Sequence, residues 1–160
     1  MRVCLWKQQG LLLCCHCHNL NQTVFKDTVL PVKKWVHFAW TYDKQWLKIY
    51  LDGVLVKEKP ETTTVYYGQN GFLLGQGYHS LFGDNYFQGR MDEVRLWNAA
   101  RTRQQLVKAM HERLSGMETG LLGYWNFDQS LVDSVVRDKT QFSNNGEISG
   151  GATFVVSDAF

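Results

Sequence analysis

The chain has 160 residues, of which 44% are hydrophobic and 20% charged, and it carries a net charge of +2 at neutral pH. Those values suit one globular domain with its own core and exclude intrinsic disorder. The charge is too small and the basic residues too scattered for a nucleic-acid surface, and no apolar run reaches the roughly 18 residues that membrane insertion by a helix requires.

The four cysteines, Cys4, Cys14, Cys15 and Cys17, all lie near the N-terminus. None remains to bridge that segment to the rest of the chain, so no disulfide framework is expected, and the clustered thiols are unusual for a secreted disulfide protein. "CCHCH" (Cys14 to His18) suggests zinc. On a strand, however, Cys14, His16 and His18 face one side and Cys15 and Cys17 the other, and no second ligand pair follows at finger spacing. A strand with half-buried thiols is the better reading. The start, "MRVCLWKQQGLLLCC", is interrupted at Lys7 to Gly10 and has no small-residue cleavage site, so no signal peptide is read. Its abrupt beginning suggests a chain cut from something longer.

"KKWVHFAWTYD" (Lys33 to Asp43) and "WLKIYLD" (Trp46 to Asp52) read as strands rich in β-formers. Asp52-Gly53 then stands between two alternating runs, the strongest short hairpin signal, because a type I′ turn needs positive φ at both central residues. Residues 35–59 are therefore predicted to form a three-stranded meander. A short edge strand is expected within 62–67 and a buried one over 72–77. Tyr78 to Tyr86 reads as a loop with Gly83, Asp84 and Asn85 at its tip.

"FQGRMDEVRLWNAART" (Phe87 to Thr102) supplies a strand whose alternation slips between Met91 and Val94, which predicts a bulge near Asp92. "RTRQQLVKAMHERL" predicts the one helix, over 101–114, with Thr102 and Gln105 at capping-box spacing and Gly116 placed to end it. "LLGYWNFD" (Leu121 to Asp128) returns to strand, residues 129–147 are polar and turn-rich, and Ala152 to Val156 reads as a last short strand. Seven to ten strands and one surface helix make an all-β fold, an antiparallel two-sheet sandwich with jelly-roll connections.

"WVHFAWTYD", "LKIYLDGVLV", "FQGRMDEVRLWNAART" and "GLLGYWNFDQS…DKTQFSNNGEISGGATF" together resemble the laminin G-like, concanavalin A-like jelly-roll family, which is related to pentraxins. The likeness covers most of residues 33–154, and residues 1–32 match poorly. It implies a recognition module that binds glycan or protein, in an extracellular or cell-surface setting. The order departs from the family in one respect: its Tyr-Trp-x-Phe-Asp stretch usually opens a domain, and here it comes last. Residues 1–160 are read as a single domain, incomplete or rearranged, with 121–160 as the opening strands of a following repeat being the other reading. The first and last strands of the fold are neighbours, so Tyr124 to Phe127 is expected beside Met91 to Trp97.

The adjacent acids Asp92 and Glu93 could be catalytic, metal-binding or structural. Catalysis at a glycosidic bond needs two carboxylates on one face about 5–10 Å apart, and adjacent strand residues point to opposite faces. Nor does any Gly-x-Ser-x-Gly or His-Glu-x-x-His motif occur; His37, His79 and His111 are scattered, and His37 reads as a packed residue. Calcium takes six to eight oxygens from carboxylates, amides, carbonyls and water. By the resemblance, Asp92 would hold such an ion with Asp138, Asn144 and Asn145. The structural alternative pairs Asp92 with Arg90 or Arg95 and leaves Asn144-Asn145-Gly146 as a turn. Asp84, Asn85 and Tyr86 are the candidate ligand-binding residues.

A non-enzymatic module for glycans or extracellular proteins, stabilised by calcium, is thus the expected function. The alternatives are a fragment or accessory domain of a carbohydrate-active enzyme, and a structural spacer between repeats.

Overall fold

The computed structural model describes residues 2–7, 31, 33–62, 73–79, 83–129, 134–157 and 159, with backbone alone for 2–7, 76–79 and 83–85. The Cys14 to His18 cluster and nearly all of the edge strand expected over 62–67 lie outside the described residues.

The predicted meander forms β2 (Trp35–Tyr42), β3 (Trp46–Leu51) and β4 (Val54–Pro60), joined antiparallel in sequence. Asp52 and Gly53 both have positive φ, 47° and 74°, as the type I′ turn demands. The Asp52 carboxylate accepts from the backbone N–H of His37 at 2.8 Å, and the Asp52 N–H donates to the His37 carbonyl at 2.8 Å. The turn is thereby tied to the first strand of the meander.

A strand near the N-terminus, β1 (Arg2–Lys7), lies between β2 and β7 (Gly89–Trp97), antiparallel to both. Together with β8 (Leu121–Trp125) these strands make a six-stranded sheet of order β4-β3-β2-β1-β7-β8. The poor N-terminal resemblance concealed a central strand, whose partners β2 and β7 are far away in the sequence. The expected neighbour relation holds: Val94 pairs with Trp125, Arg95 with Tyr124 and Leu96 with Gly123.

One face of the sheet carries the main core of Val36, Phe38, Leu47, Ile49, Val94 and Trp125. Full burial of each such side chain contributes about 1.5–3 kcal/mol. The opposite face carries a smaller cluster, Ala39 and Tyr50 covered by Leu106 of the helix α1 (Arg103–Ala109). Thr102 caps α1 with Gln105 in a complete capping box, as predicted.

Several boundaries differ from expectation. The helix closes at Ala109, not 114, and the Arg95 guanidinium takes the carbonyls of Ala109 (2.9 Å) and Glu112 at and beyond its end. Gly116 does not cap it. A Cβ there would sit 2.2 Å from the Lys139 carbonyl oxygen, so glycine serves the close approach of two loops. Residues 78–86 are not one loop: β5 (Gln76–His79) and β6 (Gly83–Tyr86) pair antiparallel, which puts Asp84 and Asn85 in a strand rather than at a tip. Leu73 and Leu74, expected in a buried strand, are exposed and precede β5. A second ribbon joins β9 (Val135–Val136) to β10 (Gly146–Glu147), and Val136 packs on the main core. Residues 152–156 form no strand; they run past the inner face without a ladder. Among the described residues no helix is long and apolar enough to cross a membrane.

Candidate functional site

The bulge predicted in β7 is at Glu93, whose φ of 55° is the left-handed value of a residue forced out of the pleat. Opposite it the register with β1 skips between Arg2 and Cys4. The consequence is a division of labour between the two adjacent acids. Asp92 lines a cleft on the inner face of the sheet. Glu93 points to the helix side.

Glu93 is buried in a polar network. It pairs with Arg95, and the Tyr124 hydroxyl donates to both its carboxylate oxygens at 2.8 and 2.9 Å. The Arg95 guanidinium also lies 5.3 Å from the Tyr124 ring centre. Burial first, and then the hydrogen bond to Glu93, push the Tyr124 phenol up to about 12. A buried pair with this many partners is a joint between strand, helix and β8, not a reactive group.

Asp92 is 4% exposed. Its carboxylate accepts from the backbone N–H of Glu93 at 2.8 Å and from the hydroxyl of Ser157. Burial raises its pKa, the hydrogen bonds from Ser157 and Glu93 oppose that, and the charges of Glu93 and Asp128 add to it. Asp128, at the end of the β8 segment, lines the same cleft and pairs with Arg113 at 2.6 Å.

Of the residues expected to hold calcium, Asp92, Asn144 and Asn145 line the cleft. Asp138 is the hub of its own loop: its carboxylate accepts from the N–H groups of Tyr124, Thr140 and Asn144, each at 2.9 Å, and from the Thr140 hydroxyl at 2.8 Å. Burial alone would raise its pKa, but these donors outweigh burial and the net shift is downward. Asn145 Oδ1 accepts from the Asp138 N–H at 3.0 Å, and the Asn144 amide donates to the Leu122 carbonyl at 2.9 Å. Donors therefore occupy the oxygens of Asp138 in this arrangement. Among the described residues no three His, Cys, Asp or Glu side chains gather as a metal cluster. Asp92 and Asp128 are the acids that share the cleft.

The cleft has a volume of about 1900 Å³ and is rimmed by Trp35, Tyr86, Phe142, Asn144, Asn145 and Gln129. Tyr86 is 57% exposed. Of the candidate ligand-binding residues, Tyr86 stands on this rim; the side chains of Asp84 and Asn85 lie outside the described residues. Asp128, Trp35 and Phe142 went unnoticed in the sequence as site residues. The only local sign of Asp128 is its place directly after an aromatic strand.

Comparison with known proteins agrees with this architecture. The concanavalin A-like lectin/glucanases superfamily matches residues 6–107, more than half of the chain. Pappalysin-1 of Mus musculus is 32% identical over 91 residues, which are 55% of this chain but 5% of that protein. A Bacteroides ovatus crystal structure, named for a proposed role in carbohydrate binding, superposes with a TM-score of 0.64 at 27% identity. It covers 81% of this chain and 40% of its own.

Proposed function

The chain belongs to the concanavalin A-like lectin/glucanases superfamily, and from that membership we propose that it is a non-catalytic module that binds carbohydrate in the inner cleft. The observation that carries this is the composition of the rim. The aromatic side chains of Tyr86, Trp35 and Phe142 line it together with the amides of Asn144, Asn145 and Gln129. Aromatic rings take the C–H face of a sugar; Asn144, whose Nδ2 is used by Leu122, keeps Oδ1 to accept from its hydroxyls, and Asn145, whose Oδ1 is used by Asp138, keeps its amide N–H groups to donate. The cleft exceeds the roughly 300–1,000 Å³ typical of a small-molecule pocket, so an extended oligosaccharide suits it better than one ring. The Bacteroides neighbour, with its proposed carbohydrate-binding role, supports the reading.

A carbohydrate-active enzyme is the second reading, because Asp92 and Asp128 line one cleft and the raised pKa of Asp92 suits a general acid. Binding is favoured over it. Both Asp92 oxygens are held by Glu93 and Ser157, and Asp128 is held by Arg113. Calcium stabilisation is proposed at Asp92 with Asp128, the two acids that line the cleft, where an ion would displace the Ser157 and Arg113 contacts. The extracellular setting is proposed from the family and from the likeness to pappalysin-1. A single domain is proposed because β8 completes the same sheet as β7.

A glycan array, followed by calorimetry on each hit with the whole chain and with Tyr86→Ala, tests the proposal. At least one oligosaccharide should bind, and the variant should weaken it about tenfold, the loss of about 1.4 kcal/mol. Release of reducing ends from a bound oligosaccharide, abolished in Asp92→Asn, would establish the enzyme reading instead.

A further inference from the structure

The outward face of the meander carries a second arrangement that neither the core nor the cleft uses. Trp46, Lys48 and Tyr50 share one face of β3, because side chains two apart on a strand point the same way. Tyr50 is covered by Leu106 of α1. Further along the strand Trp46 is 38% exposed, and Lys48 Nζ lies over one face of its ring, 6.0 Å from the centre. Glu58, directly across on β4, places its carboxylate 3.8 Å from Lys48 Nζ. An apolar ring face, an ammonium and a carboxylate thus lie side by side on two paired strands, all accessible to solvent.

The backbone that carries Trp46 is anchored as well. The Asp43 carboxylate accepts from the N–H groups of Trp46 at 2.7 Å and Gln45 at 2.9 Å. The Trp46 carbonyl accepts from the Asp43 N–H at 3.3 Å, and the Gln45 carbonyl from Glu61 at 2.8 Å. Pro60, opposite Trp46 in the register, has a ring-fixed φ and no rotamer freedom to lose. A backbone fixed in this way has little further freedom to lose when a ligand docks on the strand.

We infer that Trp46, Lys48 and Glu58 form a second saccharide site, a flat platform on the outer face that takes a neutral hexose unit. The indole receives the C–H face of the sugar. Glu58 accepts from its hydroxyl protons, and Lys48 donates to hydroxyl oxygens. The preference for a neutral sugar follows from the charges. Lys48 and Glu58 compensate one another, so an anionic sugar gains from one and is repelled by the other. The platform is open and shallow, so it is the weaker of the two sites. It rests on the carbohydrate-binding reading and adds a location and a sugar class to it.

The test uses the whole chain and neutral gluco-, manno- and galacto-oligosaccharides as probes, read by tryptophan fluorescence and by saturation-transfer NMR. Trp46→Ala should weaken one neutral oligosaccharide about tenfold, Trp46→Phe should restore most of that affinity, and Glu58→Gln should weaken it several-fold. Tyr86→Ala should leave this component unchanged. Unaltered melting temperature and far-UV dichroism in Trp46→Phe guard against misfolding. If Tyr86→Ala abolishes all binding while Trp46→Ala and Glu58→Gln match the parent chain, the platform is overturned and the cleft stands. If no neutral or charged saccharide binds the parent chain, both readings fall together.

Discussion

The Tyr124 hydroxyl reaches Glu93 across a separation of 31 residues and donates to both of its carboxylate oxygens. This contact locks β8 to the bulge of β7 and holds the acid that Arg95 also uses to gather the carbonyls at the end of α1. Removing one member of such a buried pair leaves an uncompensated charge. Arg95→Ala should therefore cost about 3–5 kcal/mol, whereas Tyr124→Phe, which removes the hydroxyl that Glu93 and the Leu114 N–H share, should cost about 1–3 kcal/mol. Chemical denaturation with a double-mutant cycle measures both; equal and small costs would show the network to be solvated.

The same phenol makes a pH prediction. Folding raises the Tyr124 pKa from 10.0 to about 12. A raised folded value means the stabilisation is complete below pH 10 and is lost as pH climbs towards 12. The stability difference between the parent chain and Tyr124→Phe should be constant up to pH 10 and shrink above it. Absorbance of tyrosinate should show one fewer late-titrating phenol in the variant than in the parent chain.

Asp138 behaves in the opposite sense. Its pKa is lowered, so its contribution is present above its ordinary 3.8 and disappears as pH falls through the lower folded value. Asp138→Asn faces an amide N–H₂ towards donors and should cost about 3 kcal/mol at pH 7. Urea unfolding at pH 7 and below pH 3 should show that difference largely vanish in acid.

Asp92 offers a test of the calcium proposal. Its ionised form is penalised by burial, so in chelator Asp92→Asn should raise the melting temperature by about 2–4 °C, the shift for about 1 kcal/mol. Millimolar calcium should raise the melting temperature of the parent chain and leave that variant unmoved. Asn145→Ala should respond to calcium as the parent does. A parent chain indifferent to calcium removes the proposal.

Gly53 combines a φ of 74° with a Cβ position 2.5 Å from Val107 Cγ2. Gly53→Ala should cost about 2 kcal/mol. In a Val107→Ala background the steric part is relieved and about 1 kcal/mol should remain. Additive costs in thermal unfolding would mean that the helix does not press on the turn.

Much of the fold was legible in local pattern. The Asp52-Gly53 turn needs positive φ, the β2 and β3 strands alternate in two-residue steps, and Thr102 with Gln105 closes a capping box. Each of these is a relation between residues a few positions apart, and the bulge near Asp92 was visible as a slip in alternation. The kinship of residues 121–125 with 91–97 was legible as motif resemblance. What local pattern could not reveal was partnership across distance. Arg2 to Lys7 carries no sign that it fills the middle of the sheet, and Asp84 and Asn85 read as a tip because a short glycine-rich ribbon resembles a loop. The roles of the two acids were decided only by tertiary structure. A single left-handed residue at Glu93 sends one carboxylate into the cleft and the other beneath the helix, and the hydrogen bonds that then converge on Asp138 come from Tyr124, Thr140 and Asn144, chain segments that only folding brings to one point.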